Sequence, residues 1–176
     1  MEDSNLKLDF ARADDVRKIN DLLRDAWLAT YPNEELGITE DDILPAFDMS
    51  KIDEQKRKEF FQKNPPGPGY WVVRNGDEVC GYMKVRIQPD GRGRIQGLYS
   101  HPKYFGKGVG AILMKAALEY MKDCKEVYVE CTAYNERAKK FYMKYGFKLD
   151  ESIKTPGFVL VTGKVLPEQT LIKKKL

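Results

Sequence analysis

Cysteine and histidine are scarce in this chain. Cys80, Cys124 and Cys131 form an odd set with no Cys-x-x-Cys spacing, and His101 is the single histidine. Neither a disulfide framework nor a zinc site is indicated, so no metal is expected and a reducing cytoplasm is the expected setting. No apolar run approaches the length that spans a bilayer, and the start Met1-Glu2-Asp3-Ser4-Asn5 lacks the basic residues and apolar run of a signal peptide. A membrane is therefore not an expected partner. Nor is there a large excess of either charge: the net charge of +3 falls short of the basic stripe of a nucleic-acid binder. The run Lys173-Lys174-Lys175 reads as a solvated end rather than a grip on phosphate, and no nucleic-acid partner is expected.

What is present suits a globular fold. A chain of 176 residues with 42% hydrophobic and 32% charged residues can bury one substantial core, so residues 1–176 read as one domain. Asn64-Pro65-Pro66-Gly67-Pro68-Gly69 cannot be helix or central strand and separates a helical half from a strand-rich half. Before it, Leu6 to Phe10 reads as a strand. Val16, Ile19, Leu22, Leu23, Ala26 and Trp27 recur at helical spacing, behind a cap at Asp14 or its neighbour. Thr39 to Phe47 and Ile52 to Lys63 suggest further helical pieces. After the break, Tyr70 to Val73 and Glu78 to Ile87 flank Asn75-Gly76, a dipeptide suited to a tight hairpin, and Pro89-Asp90-Gly91 turns into a strand at Arg94 to Ser100. A helix over Gly110 to Asp123, a strand over Glu126 to Cys131 and a helix over Asn135 to Lys144 follow. Phe147 to Glu151 and Phe158 to Val165 read as the two final strands. The predicted order is β-α-α-β-β-β-α-β-α-β-β, an α/β fold with a mixed, mostly antiparallel sheet flanked by helices.

The strand, glycine-rich turn and helix across residues 94–123 aim unpaired backbone N–H groups and a helix dipole at one spot, which suits a phosphate. Three glycines can also be a flexible connector. A Walker loop requires Ser or Thr after Gly-Lys, but Lys107 is followed by Gly108. Gly106-x-Gly108-x-x-Ala111 matches a dinucleotide fingerprint formally, with Glu130 about twenty residues on. Such a fingerprint normally opens a doubly wound sheet, however, and too little chain follows Glu130 to build one.

A third reading rests on two segments. Gln96-Gly97-Leu98-Tyr99-Ser100-His101-Pro102-Lys103-Tyr104-Phe105-Gly106-Lys107-Gly108-Val109-Gly110-Ala111 resembles the acetyl-CoA motif of the GNAT N-acetyltransferase superfamily. Asn135-Glu136-Arg137-Ala138-Lys139-Lys140-Phe141-Tyr142-Met143-Lys144-Tyr145-Gly146-Phe147 resembles the segment that follows it there. The resemblance implies acetyl-CoA as co-substrate. Phe105, Gly106, Lys107, Gly108, Val109, Gly110 and Ala111 would wrap its pyrophosphate, with Leu98, Tyr99 and Ser100 along the pantetheine arm and Asn135 and Tyr142 facing it. The cofactor would lie where the strand at 95–100 splays from the strand at 126–131. Family members usually carry Arg or Gln where this chain has Phe105, which leaves backbone contacts as the grip there.

Moving an acetyl group from a thioester to an amine requires a proton acceptor, a stabilised oxyanion and a proton donor for the departing thiolate. By the resemblance, Glu130 and Tyr142 would be base and acid, with oxyanion stabilisation from backbone N–H near Leu98. Read from the pattern alone, Tyr142 belongs equally to a core stripe with Ala138, Phe141 and Tyr145. Asn135 doubles as an N-cap, and Glu130 suits a solvated strand end. His101 is a further candidate base, with an unperturbed pKa near 6.5. On the acceptor side, Glu34, Glu35, Glu40, Asp41, Asp42 and Asp48 would attract a cationic amine or form a solvated face. Trp27, Tyr31 and Phe47 would line a pocket or a core. The expected activity is acetyl transfer to a small polyamine-like molecule, a peptide N-terminus or a lysine, with homodimers common in the family. The rivals are a non-catalytic CoA-binding module and a dinucleotide-binding module.

Overall fold

The computed structural model describes residues 5–63 and 69–175, so all of the Pro/Gly-rich break except Gly69 lies outside the described residues. The elements run β1 (Leu6–Phe10), α1 (Val16–Leu28), α2 (Glu40–Ile43), α3 (Glu54–Lys63), β2 (Tyr70–Asn75), β3 (Glu78–Ile87) and β4 (Gly93–Ser100). They continue with α4 (Val109–Tyr120), β5 (Glu126–Thr132), α5 (Glu136–Lys144), β6 (Lys148–Leu149), β7 (Phe158–Val159), β8 (Val165–Leu166) and β9 (Glu168–Lys174). Short 3-10 turns precede α1 at Ala13–Asp15, follow α2 at Leu44–Phe47 and precede α4 at Pro102–Tyr104. Seven strands form one sheet in the order β1-β2-β3-β4-β5-β9-β6, antiparallel except where β4 meets β5. Among the described residues no helix is long and apolar enough to cross a membrane.

Alternation along β2 divides the core. Val73 points into a cluster with Met83, Ile95, Val109, Leu113, Ala117, Val129 and Leu171, against which α4 and α5 pack. Its neighbour Val72 points the other way, to Ile19 and Leu22 of α1 and Phe61 of α3. A third apolar group joins the α1 end to the β7–β8 hairpin through Trp27, Ile38, Ile43, Leu160 and Leu166.

The largest correction to the sequence reading is β9. Glu168-Gln169-Thr170-Leu171-Ile172-Lys173-Lys174 is an interior strand, paired along its length with β5 and on its other side with β6. Lys173 and Lys174 are therefore strand residues rather than a loose tail. Thr170, Leu171 and Ile172 are buried in succession, so no alternation announced the strand, and the flanking charges hid it. The segment Phe158 to Val165 does not join the main sheet, because Leu160 donates to the Lys164 carbonyl and folds it into the separate β7–β8 hairpin. β6 is shorter than Phe147 to Glu151. Three helices precede β2 among the described residues, one at each helical segment expected there, and the predicted element order counted one too few. The hairpin after β2 turns on Gly76-Asp77, since Asn75 is still paired with Glu78 and only Gly76 takes positive φ (+58°).

Candidate active site

β4 and β5 touch only over Gly93–Ile95 and Val127–Val129. Beyond that point they part. β4 carries a bulge there, because Lys84 and Val85 of β3 pair with Gly97 and Ile95 and leave Gln96 as the extra residue. Bulge and divergence together open a cleft of about 1280 Å³ through the middle of the sheet. Leu98, Tyr99, Ser100, Glu130, Asn135 and Tyr142 all line it, as does the turn from Phe105 to Ala111 except for Lys107. The Lys107 side chain lies instead over the Tyr104 ring, 5.3 Å from its centre.

The turn has the features a phosphate needs. Gly106 and Gly108 take φ of +77° and +90°, which a side-chain-bearing residue adopts only under strain, and added Cβ atoms would meet nothing within 4 Å. Gly108 caps α4. Among the described residues, the amides of Gly106, Gly108, Val109, Gly110 and Ala111 donate to no acceptor, whereas Lys107 and Ile112 donate to the carbonyls of Tyr104 and Gly108. Five free donors at the positive end of a twelve-residue helix favour an anion. Gly110 has a second reason to lack a side chain, since its Cβ would sit 3.2 Å from the Phe141 ring of α5. The Phe105 ring carries the Arg137 guanidinium, 3.5 Å from its centre, and Arg137 also reaches Thr30 Oγ1 at 3.3 Å. A cation thus stands at this corner of the cleft, delivered from α5 and seated on the aromatic ring.

On the α5 side, Asn135 accepts a hydrogen bond from the Ala138 amide at 3.0 Å, the N-cap role, and still faces the cleft. Tyr142 is 5% exposed and packs against Phe141 and Phe147 at 5.4 and 5.6 Å, so the core stripe is real. Its hydroxyl makes no hydrogen bond with any described residue. Burial, with the nearby Cys131 and Tyr99, pushes the phenol far above its ordinary range and keeps it protonated.

Glu130 is not a free carboxylate. Arg94 Nη2 donates to it across the point where β4 and β5 separate. Beside it, on β9, stands Glu168, a cleft residue that the sequence reading missed because the strand carrying it went unrecognised. Burial and then the Glu130 charge push the Glu168 carboxyl up, with Arg94 opposing. His101 is withdrawn as a base: Nδ1 accepts the Lys103 amide at 3.2 Å, Nε2 contacts Asp25 at 3.2 Å, and the ring does not line the cleft.

The acidic stretch after Tyr31 is also absent from the cleft wall. Asp42 accepts from the Thr39 amide and from Lys164 Nζ, both at 2.8 Å, and Asp48 is turned onto Ser50. These carboxylates fasten α2 to the β7–β8 hairpin and close a turn. Trp27 and Tyr31 do line the cleft, while Phe47 stands behind Trp27, with ring centres 5.2 Å apart. The Trp27 Nε1–H is buried and has no hydrogen-bond partner among the described residues.

A protein-family model described as "Acetyltransferase (GNAT) family" matches residues 18–147. An uncharacterized N-acetyltransferase of Mycobacterium bovis is 31% identical over 81 residues, 45% of this chain and 52% of that protein. The chain thus matches about half the length of this curated relative. Among solved structures, the PaiA N-acetyltransferase of Thermoplasma acidophilum in complex with coenzyme A superimposes with a TM-score of 0.76 at 18% identity, covering 97% of this chain and 99% of that one. YncA of Salmonella typhimurium, solved with its cofactor acetyl-CoA, gives 0.67 at 16% identity, covering 96% and 93%. At these identities the structures establish a shared fold.

Proposed function

This chain belongs to the acetyltransferase (GNAT) family, and from that premise we propose that it transfers an acetyl group from acetyl-CoA directly to a primary amine. The observation that carries the reading is the array of five unpaired amides from Gly106 to Ala111, opening on the same cleft as the Tyr142 hydroxyl. These residues fit the cofactor. The amides and the Arg137 guanidinium would hold its phosphates, and the unpaired edge of β4 at Leu98 and Ser100 would align its pantetheine arm.

Acetyl-CoA supplies the thioester whose carbonyl the amine attacks. Glu130, directly or through water, takes a proton from the incoming ammonium, whose pKa of about 10 keeps it charged at neutral pH. Arg94 fixes the orientation of that carboxylate. Backbone N–H near Leu98, beside the bulge, faces the developing oxyanion, and Tyr142 gives its proton to the departing sulfur. The acceptor classes open to this chemistry are small amines, peptide N-termini and lysine side chains.

Thiol release from acetyl-CoA across polyamines, aminoglycosides, amino acids, arylalkylamines and peptides tests the reading. Release with none of them, alongside thermal stabilisation by CoA, would leave a CoA-binding module; stabilisation by NAD alone would sink both. For Glu130→Gln, activity is lost most at neutral pH and recovers toward pH ~10, where the amine arrives already deprotonated. An unchanged pH–rate profile would assign the proton transfer to water.

The three thiols are free and buried, which suits a reducing cytoplasm. Burial pushes Cys131 up to about 11 and raises Cys80 and Cys124 as well. Iodoacetamide at pH ~8 is therefore expected to leave the native protein unmodified and to label it in urea, as thiolate fraction and access both require. Rapid labelling of the folded protein would contradict the packing around these residues.

A further inference from the structure

The acceptor end of the cleft carries an unbalanced charge. Glu130 and Glu168 are the only carboxylates in the cleft wall among the described residues. Their strands place them on one face: Glu130 pairs with Thr170 and Glu168 with Thr132, making the two glutamates diagonal neighbours. Arg94 neutralises Glu130. Glu168, half-buried, has no ion pair and no hydrogen bond among the described residues, so one negative charge in a partly desolvated wall is unmatched. Leu166, two residues before Glu168, packs in one apolar group with Trp27 and Tyr31, and all four line the cleft, so carboxylate and aromatic wall belong to the same end of it.

That wall is largely aromatic. Trp27 stands edge-on to Tyr31 at 5.0 Å and to Phe158 at 5.5 Å, and Leu166, two residues before Glu168, is 2% exposed. The other charged residues of the cleft wall are cations, Lys84 among them, whose pKa burial lowers. A second ammonium on the acceptor would meet these cations and find no further carboxylate.

We infer that Glu168 is the seat of the acceptor's ammonium group, and that the acceptor is a monoamine on an aromatic or branched apolar body lodged against Trp27, Tyr31, Phe158 and Leu166. The inference rests on the reading of the cleft as an amine acetyltransferase site and narrows its acceptor class. Glu168 binds the cation beside Glu130; Glu130 receives the proton. Loss of Glu168 therefore acts on acceptor affinity and spares the bond-making step.

Calorimetric titration of the full chain, saturated with CoA, tests this with 2-phenylethylamine, its uncharged counterpart 2-phenylethanol, and spermidine. The wild type binds 2-phenylethylamine at least ~10-fold tighter than 2-phenylethanol, about what one charge-assisted contact provides. Glu168→Gln erases that preference with CoA affinity unchanged. Glu168→Asp, which keeps the charge one methylene further back, retains part of it and guards against a folding defect of the Gln variant. In turnover, Glu168→Gln raises KM for the amine at least ~10-fold with kcat within about threefold. No preference for the ammonium in the wild type, or the same preference in Glu168→Gln, overturns the seat. Tighter binding of spermidine than of 2-phenylethylamine overturns the apolar body. If 2-phenylethylamine binds through Glu168 and releases no thiol from acetyl-CoA, the seat stands and the acetyltransferase reading fails.

Discussion

Tyr142→Phe lowers kcat by about 100-fold or more while leaving CoA affinity within about twofold, because the change removes the proton-donating hydroxyl and little volume. The ring is held between Phe141 and Phe147, so the Phe variant keeps its packing, and the hydroxyl has no partner among the described residues whose loss would disturb the fold. Thermal stability should match the wild type within about 1 °C. A proton donor to sulfur must arrive protonated, as a phenol of ordinary pKa about 10 does at neutral pH, and burial pushes Tyr142 further in that direction. The effect belongs to the transition state, so kcat and kcat/KM fall together. Steady-state kinetics with calorimetric CoA binding checks this; full turnover in the Phe variant would reduce Tyr142 to a core residue.

Phe147→Ala has the largest expected cost to stability. The ring is 1% exposed and sits at the foot of α5, where the Phe147 amide closes on the Tyr142 carbonyl at 3.3 Å. Truncating such a residue costs about 3–5 kcal/mol through lost transfer energy and the cavity left behind. For a chain of this length that corresponds to a fall in Tm on the order of 10 °C. The new cavity lies directly under the Tyr142 ring, so kcat should drop as well, measured at a temperature where the variant is still folded. A Tm within about 2 °C of wild type would show that α5 settles into the space.

The sequence was most legible where a local rule dictates one conformation. Gly106 and Gly108 are glycines because the turn needs positive φ, and Asn135 is an asparagine because a helix start needs an acceptor. Those rules located the turn, the start of α4 and the whole of α5 within one residue, while α4 ends at Tyr120, three residues before the expected Asp123. The splay of β4 from β5 came from the resemblance carried by the same segments. The acceptor side was poorly legible because its residues are gathered from distant parts of the chain. Trp27 comes from α1, Phe158 and Leu166 from a hairpin that reads as one strand, and Glu168 from a strand hidden among lysines. The acidic cluster at 34–48 drew attention by composition, but Asp42 serves Thr39 and Lys164, and Asp48 serves a turn. Charge in sequence says nothing of which partner takes it.

The place of β9 bears on how the protein comes into being. β5 is complete more than thirty residues before its antiparallel neighbour has been synthesised, and among the described residues β6 pairs with β9 alone. Until Glu168–Lys174 leaves the ribosome, one side of β5 is an open edge of the kind that recruits foreign strands, and the cleft lacks one wall. Closing the sheet requires a late strand to slot between two early ones, a distant pairing that folds slowly. An arrested or prematurely terminated chain would hold the whole phosphate-binding turn and both early halves of the cleft, yet remain a sticky, unfinished sheet that chaperones must shield.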